Sequence, residues 1–114
     1  MVYLNRKLLK NLRDVNNMKM KKKVPTEADL KKFNVESWGT WSKEKSEFDW
    51  SYGGTETCYI LDGEVEVTDS ETGEKIEFKK GDLVQFESGL KCIWNVKKPV
   101  RKYFSFDLDF GEIE

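Results

Sequence analysis

Two cysteines are candidates for nucleophilic or metal-binding chemistry in this sequence of 114 residues, which contains no histidine. Cys58 and Cys92 are 34 positions apart, a spacing that is neither a CxxC motif nor a disulfide framework. Without histidine, the chain cannot form a Ser-His-Asp triad, a Cys-His nucleophile pair or a histidine-based zinc or iron site. The sparse cysteines and the lack of a recognisable secretory signal predict a reducing, cytoplasmic location.

The composition predicts one ordered domain. Hydrophobic residues make up 38% of the chain and charged residues 36%, while 7 Phe, 4 Tyr and 4 Trp offer large areas for burial. These aromatic residues and a net charge of −1 exclude an intrinsically disordered chain. No apolar run approaches the roughly 18 residues that a spanning helix needs, so we expect no membrane span.

The charge is divided unevenly along the chain. Residues 1–23 carry eight basic residues and one acidic residue, whereas the remainder is acidic. We therefore predict a basic N-terminal extension over residues 1–24, in which leucines at helical spacing favour a short helix docked on the domain. An organelle transit peptide is an alternative. Binding of nucleic acid or anionic lipid ranks last, because no aromatic residues interleave with the lysines, so no nucleic-acid partner is expected.

The periodicity of the remaining chain predicts an all-β fold. Thr26 is typical of the N-cap of a short helix, and short alternating segments then follow at intervals of 8–12 residues. Asp62-Gly63 is the strongest signal for a hairpin turn. Further turns are predicted at residues 69–73, 80–82, 88–89 and 97–99. This pattern is typical of a β-sandwich or a β-barrel.

Several short segments then occur in an order that is typical of one family. Six residues separate Glu56 from Gly63, and seven separate Gly81 from Gly89. The other segments are Trp38 and Trp41, SEFDW at 46–50, KGDLV at 80–84 and PVRK at 99–102. Residues 25–106 thereby resemble the small single-domain cupins grouped with the ureidoglycine aminohydrolase cupin domain and the ethanolamine-utilisation cupins. The resemblance implies a small jelly-roll barrel that is usually a homodimer.

The sequence departs from the cupin metal-binding pattern. The family's His-x-His pair falls here on Trp50 and Tyr52, or on Asp49 and Ser51 in a longer spacing, and its later histidine falls on Cys92. Only Glu56 matches a usual metal ligand. One carboxylate, even with one thiolate, gives too few ligands for a transition metal. We therefore predict no metal and no other cofactor.

The resemblance also suggests which side chains line a pocket. If Glu56 faces the barrel interior, strand alternation places Cys58 there as well, and Cys92 shares a face with Trp94. The predicted lining is an aromatic cup that is typical of a small-molecule site, formed by Trp50, Tyr52, Glu56, Cys58, Cys92, Trp94 and Arg101. Glu56 is the candidate general acid or base. The alternatives are structural: Glu56 held by a backbone amide or Arg101, and Cys92 as a small buried hydrophobe.

These observations leave more than one function open. The first is a metal-independent cupin that binds a small molecule, with acid-base catalysis by Glu56 as an extension. The second is a non-catalytic structural or accessory module. A metal-dependent aminohydrolase or dioxygenase is the third, and the missing histidines disfavour it. A concave pocket around Glu56 favours the first, whereas a barrel plugged by Trp50, Trp94 and Phe86 favours the second.

The acidic residues at the C-terminus, 107–114, form a separate tail. Phe106, Leu108 and Phe110 alternate with aspartates, which predicts an additional edge strand, on this subunit or a partner.

Overall fold

The computed structural model of the protein describes residues 19–106 and residue 108. The predicted helix of the extension and most of the predicted C-terminal strand lie outside these residues. The elements in chain order are β1 (Met20–Lys23), α1 (Glu27–Lys32), a short 3-10 helix (Val35–Ser37), β2 (Gly39–Lys43), β3 (Ser46–Ser51), β4 (Glu56–Asp69), β5 (Lys75–Lys79), β6 (Leu83–Phe86) and β7 (Lys91–Phe106).

Helix α1 begins at the predicted cap. The Thr26 hydroxyl accepts a hydrogen bond from the Asp29 backbone N–H at 3.1 Å, and the Asp29 carboxylate accepts one from the Thr26 N–H at 3.0 Å. This reciprocal pair is a capping box, which satisfies two backbone donors that a helix start leaves free. The prediction of Thr26 as the N-cap is confirmed.

Two long strands organise the barrel. β4 and β7 pair antiparallel along most of their lengths, and β7 also pairs with β2 and β3. β4 also pairs with β5 and β6, and β1 extends the sheet beyond β6. The sheet curls into a small jelly-roll barrel, so the predicted all-β class is confirmed. The side chains that fill its interior include Cys58, Ile60, Val65, Val67, Val84, Phe86, Cys92, Trp94 and Val96.

Three predicted turns are confirmed. Residues 70–74 connect β4 to β5, with the Gly73 N–H donating to the Asp69 carbonyl at 2.8 Å. Residues 80–82 connect β5 to β6, and residues 87–90 connect β6 to β7. Gly81 and Gly89, in the last two of these turns, have φ angles of 95° and 94°. Such angles lie in the region that glycine adopts readily.

Two other predicted turns are wrong. Asp62-Gly63 does not end a strand, because β4 runs from Glu56 to Asp69 without interruption. Likewise, residues 97–99 lie inside β7. Between Ile60 and Val65 the register of β4 on β7 shifts three times. The turn-forming residues are therefore placed at β-bulges, which accommodate glycine and proline without reversing the chain.

The barrel begins before residue 25, the start that the sequence predicted for it. β1 belongs to the predicted extension, yet it pairs antiparallel with β6, and Met20 lies opposite Phe86. The side chain of Met20 is only 2% exposed and belongs to the main core. The lysines of β1 obscure this strand in the sequence, because only one of its four residues is apolar.

A smaller apolar cluster covers the outer face of the sheet. Leu83 is fully buried there, and Leu108 packs against it. Aromatic side chains from the helical segment and β4 complete the cluster, namely Phe33, Trp38 and Tyr59. All four residues of β6 are consequently buried, since one face of the strand meets the barrel core and the other meets this cluster.

Candidate functional site

An aromatic cavity of about 540 Å³ opens between β2, β3, β4 and β7. Its walls are mostly apolar rings, from Trp41, Phe48, Trp50, Tyr52, Trp94, Phe104 and Phe106. Trp50 and Phe106 are about half exposed, at 51% and 49%. Trp94 and Tyr52 are buried in the main core. A concave apolar site with few polar groups is the usual composition of a small-molecule pocket.

Glu56 and Lys102 form a buried ion pair in this cavity. The Lys102 Nζ donates to Glu56 Oε2 at 2.9 Å, and the two residues are only 4% and 5% exposed. The pair joins the central strands β4 and β7. Because water screens such a pair weakly, its charges interact far more strongly than those of a surface pair.

Arg101 lies elsewhere, which corrects two expectations from the sequence. Its guanidinium pairs with Asp62 at 3.2 Å, and both side chains are exposed. Arg101 therefore neither holds Glu56 nor lines the cavity. Adjacent residues of a strand point to opposite faces, so the inward position of Lys102 turns Arg101 outward.

Two indole rings surround the Lys102 ammonium. Its Nζ lies 4.7 Å from the ring centroid of Trp41 and 4.7 Å from that of Trp94. The two indoles meet edge to face, with centroids 5.9 Å apart. A cation over an aromatic face is attracted by the ring quadrupole, most strongly for tryptophan and in a desolvated site. The rings thus replace part of the hydration that the ammonium loses on burial.

The surroundings decide which of these groups carry a proton. Burial by itself would lower the pKa of the Lys102 ammonium, but the neighbouring Cys58 and Glu56 favour the charged form, and the net shift of the pKa is upward. Burial, followed by the charge of Glu56, raises the pKa of the Tyr52 hydroxyl well above its usual value. At neutral pH the site therefore holds an ammonium and a neutral phenol.

Two buried polar atoms near the cavity lack a partner. Neither the Tyr52 hydroxyl nor the Trp94 Nε1 makes a hydrogen bond of standard geometry to any residue that the structure describes, although Glu56 lies near Tyr52 and Cys92 lies near Trp94. Buried polar groups are normally satisfied by protein or by ordered water. Groups of this kind are suited to a bound water or ligand.

The two cysteines do not line the cavity. Both thiols are free and buried behind its wall. Burial raises the pKa of Cys92 to about 11, with Asp69 adding to the shift. Burial also raises the pKa of Cys58, although the Lys102 charge opposes this. Both remain thiols at neutral pH, and a thiol is a poor nucleophile.

The donor atoms at the site do not fit a transition metal. Among residues 19–106 and 108, no three Cys, Asp or Glu side chains lie close enough together to hold one. The cupin ligand that this chain retains, Glu56, already binds an ammonium at 2.9 Å. A metal ion at Glu56 would be repelled by the positive charge of Lys102. Trp50 and Tyr52, at the positions of the cupin His-x-His pair, offer no imidazole nitrogen as a ligand.

Of the predicted pocket residues, the structure brings together Trp50, Tyr52, Glu56 and Trp94 around one cavity. Sequence reasoning missed Lys102, which pairs with Glu56, and Trp41, whose ring contacts the Lys102 ammonium. The signal for Lys102 was its even spacing from Cys92 and Trp94 along β7, because residues two apart share a face of a strand.

Comparison with known families and structures identifies relatives. The family described as the EutQ-like cupin domain matches residues 30–104. A DUF861 family protein from Thermotoga maritima is 52% identical, with a TM-score of 0.74 over 76% of this chain and 98% of that protein. Comparison with curated proteins found no match.

Two EutQ proteins share the fold. The Clostridium difficile EutQ protein is 24% identical, with a TM-score of 0.55 over 60% of this chain and 52% of that protein. A putative ethanolamine utilization protein Q from Salmonella typhimurium is 18% identical, with a TM-score of 0.54 over 82% of this chain and 61% of that protein. This chain thus spans about half to three-fifths of their lengths.

Proposed function

The chain belongs to the EutQ-like cupin domain family, and from that premise we propose that it is a metal-independent cupin that binds a small organic molecule. The observation that carries this proposal is the buried Glu56–Lys102 pair at an aromatic cavity that remains open to the surface. A buried ion pair is costly to desolvate and is often no more stabilising than apolar residues in its place. A role in binding gives a reason for its presence.

The unfilled cavity supports a role in binding over a purely structural role. Phe86 is fully buried and stacks on Tyr52, with ring centroids 5.2 Å apart. Trp50 stands half exposed at the cavity mouth. Phe86 does not line the cavity, and Tyr52, Trp50 and Trp94 line it without filling it. A structural module remains the alternative, and a homodimer and a cytoplasmic location stay predictions. No helix among the described residues is long and apolar enough to cross a membrane.

An acid-base reaction at this site would use Glu56 as the base. Its Oε2 accepts a hydrogen bond from Lys102, and a carboxylate has further acceptor positions on its two oxygens. A carboxylate oxygen facing an apolar cavity can remove a proton from a ligand within hydrogen-bond distance. Lys102 would stabilise negative charge that develops on the ligand, a task that metals perform in other enzymes.

We expect the purified, untagged protein to contain no stoichiometric metal and to show no thermal shift with divalent ions. The physical reason is the repulsion between a metal ion and the Lys102 ammonium at the retained ligand. Elemental analysis and a metal titration on one sample check this. Stoichiometric metal that is lost in Glu56→Gln would contradict the proposal and return the aminohydrolase alternative to first place.

We expect Glu56→Gln to weaken the binding of compounds found in a fragment screen by about 10- to 100-fold, since a hydrogen bond to a charged group contributes about 1.5–3 kcal/mol. Glu64→Gln is the matched control, because Glu64 lies on the same strand but pairs with Lys98 outside the cavity. Calorimetric titration measures both variants. Unchanged binding by Glu56→Gln would place the ligand site elsewhere.

A further inference from the structure

The charges that line the cavity balance one another. The lining carries two cations, Lys43 and Lys102, and two anions, Asp49 and Glu56. In its buried part, Lys102 and Glu56 neutralise each other at 2.9 Å. A ligand with a net charge would therefore enter an apolar site without finding an unpaired countercharge at its base. Burying an uncompensated charge costs far more than burying a neutral polar group.

The same ion pair still offers hydrogen bonds to a ligand. An ammonium has three N–H donors; Glu56 accepts one of them at 2.9 Å, and the Cys58 side chain is a second polar neighbour of Lys102. The two oxygens of a carboxylate offer about four acceptor positions, more than the hydrogen bond from Lys102 uses. A donor on Lys102 and an acceptor on Glu56 consequently lie side by side in the cavity.

From this arrangement, and resting on the proposed function, we infer that the ligand is an uncharged, planar molecule with an adjacent donor and acceptor, such as a primary amide or a lactam edge. Its N–H donates to the Glu56 carboxylate, and its carbonyl oxygen accepts from Lys102 Nζ. The apolar body lies against the aromatic walls, where Trp41 and Trp94 flank the ammonium. Such a ligand satisfies both members of the pair without separating their charges.

Four compounds of nearly equal size test this inference against the full-length chain. Benzamide is neutral and has both a donor and an acceptor; acetophenone is neutral and has only the acceptor. Benzoate is an anion, and benzamidine is a cation. In calorimetric or NMR titrations we expect benzamide to bind most tightly. The other three should bind at least about tenfold more weakly, which corresponds to about 1.4 kcal/mol.

Two variants should change this preference in opposite directions. Glu56→Gln leaves an unpaired ammonium in the cavity, so its strongest ligand among the four should become benzoate. Lys102→Met leaves an unpaired carboxylate, so its strongest ligand should become benzamidine. The controls Glu64→Gln and Lys98→Met alter an exposed pair between the same strands and should keep the wild-type order. The wild-type titrations test the inference even if a cavity variant does not fold.

The outcomes separate this inference from the proposed function. Equal or tighter binding of benzoate, benzamidine or acetophenone by the wild type would overturn the neutral-ligand inference and leave binding in the cavity intact. The same conclusion follows if none of the four binds while a screened compound binds the wild type and is lost in Glu56→Gln. Failure of all four compounds and of the whole screen would overturn both.

Discussion

Replacing Lys102 with methionine is expected to lower the free energy of unfolding by about 3–5 kcal/mol, because it leaves the Glu56 carboxylate buried without its partner. Methionine preserves much of the length of the lysine stem, so the loss reports mainly on charge. Chemical denaturation monitored by tryptophan fluorescence and by circular dichroism measures the change. Removing the cation beside two indoles can change the fluorescence by itself, whereas circular dichroism reports on the backbone. Equal unfolding transitions by the two signals would therefore show that the stability has changed.

Adding Glu56→Gln to Lys102→Met should restore part of this stability, since the double variant buries no uncompensated charge. The exposed pair Glu64–Lys98 provides the control. Its N–O distance is 3.0 Å, close to the 2.9 Å of the buried pair, and it joins the same two strands. The matching variants Glu64→Gln and Lys98→Met should be indistinguishable from the wild type, because water screens exposed pairs. A double cavity variant no more stable than Lys102→Met would contradict this account.

The sequence led to one half of the ion pair and not to the other. Glu56 could be identified through its match to a family motif, and the same resemblance implied that it faces the barrel interior. Lys102 was missed because a turn was predicted at residues 97–99. A turn there breaks the alternation that runs from Cys92 and Trp94 along β7. In the structure Lys98 is exposed, but the even-numbered positions on either side of it, Val96, Val100 and Lys102, are buried, and Arg101 is exposed.

The predicted turns show why local signals were insufficient. Residues 69–73 and 80–82 do reverse the chain, and each leads into a strand that pairs with β4. Asp62-Gly63 has the same local character. Its two flanks, however, pair with one strand, β7, on both sides of the dipeptide. Turn propensity depends on adjacent residues, whereas this pairing depends on residues almost 40 positions away in sequence, so propensity alone could not distinguish a hairpin from a bulge.

The bulge at Gly63 also sets which side chains reach the cavity. Before it, the side chains of β4 that face the barrel interior occupy even positions, as at Glu56, Cys58 and Ile60. After it they occupy odd positions, as at Val65 and Val67. A shift of one residue exchanges the two faces of a strand. The bulge therefore allows one continuous strand to place Glu56 in the site and two valines in the core.

Replacing Gly63 with alanine is expected to lower the free energy of unfolding by about 2–5 kcal/mol, from about 1–2 kcal/mol of backbone strain and about 1–3 kcal/mol of overpacking. Gly63 has a φ of 104°, and a Cβ there would lie 2.3 Å from the Pro99 carbonyl oxygen and 2.7 Å from the Val100 Cα. Both neighbours are backbone atoms of β7, so neither can move as a side chain would. A register slip would not relieve the contact without turning either Glu56 or Val65 outward.

Gly73→Ala separates the strain from the contact. Gly73 has a φ of 79°, and an added Cβ would meet no atom within 4 Å, so we expect a loss of only about 1–2 kcal/mol. Urea denaturation of the two variants measures the difference, which isolates the close approach of β4 and β7. If both variants lose the same stability, the approach at Gly63 is not fixed by the barrel. If Gly63→Ala also weakens ligand binding while folded, the bulge positions Glu56 for binding as well as stabilising the fold.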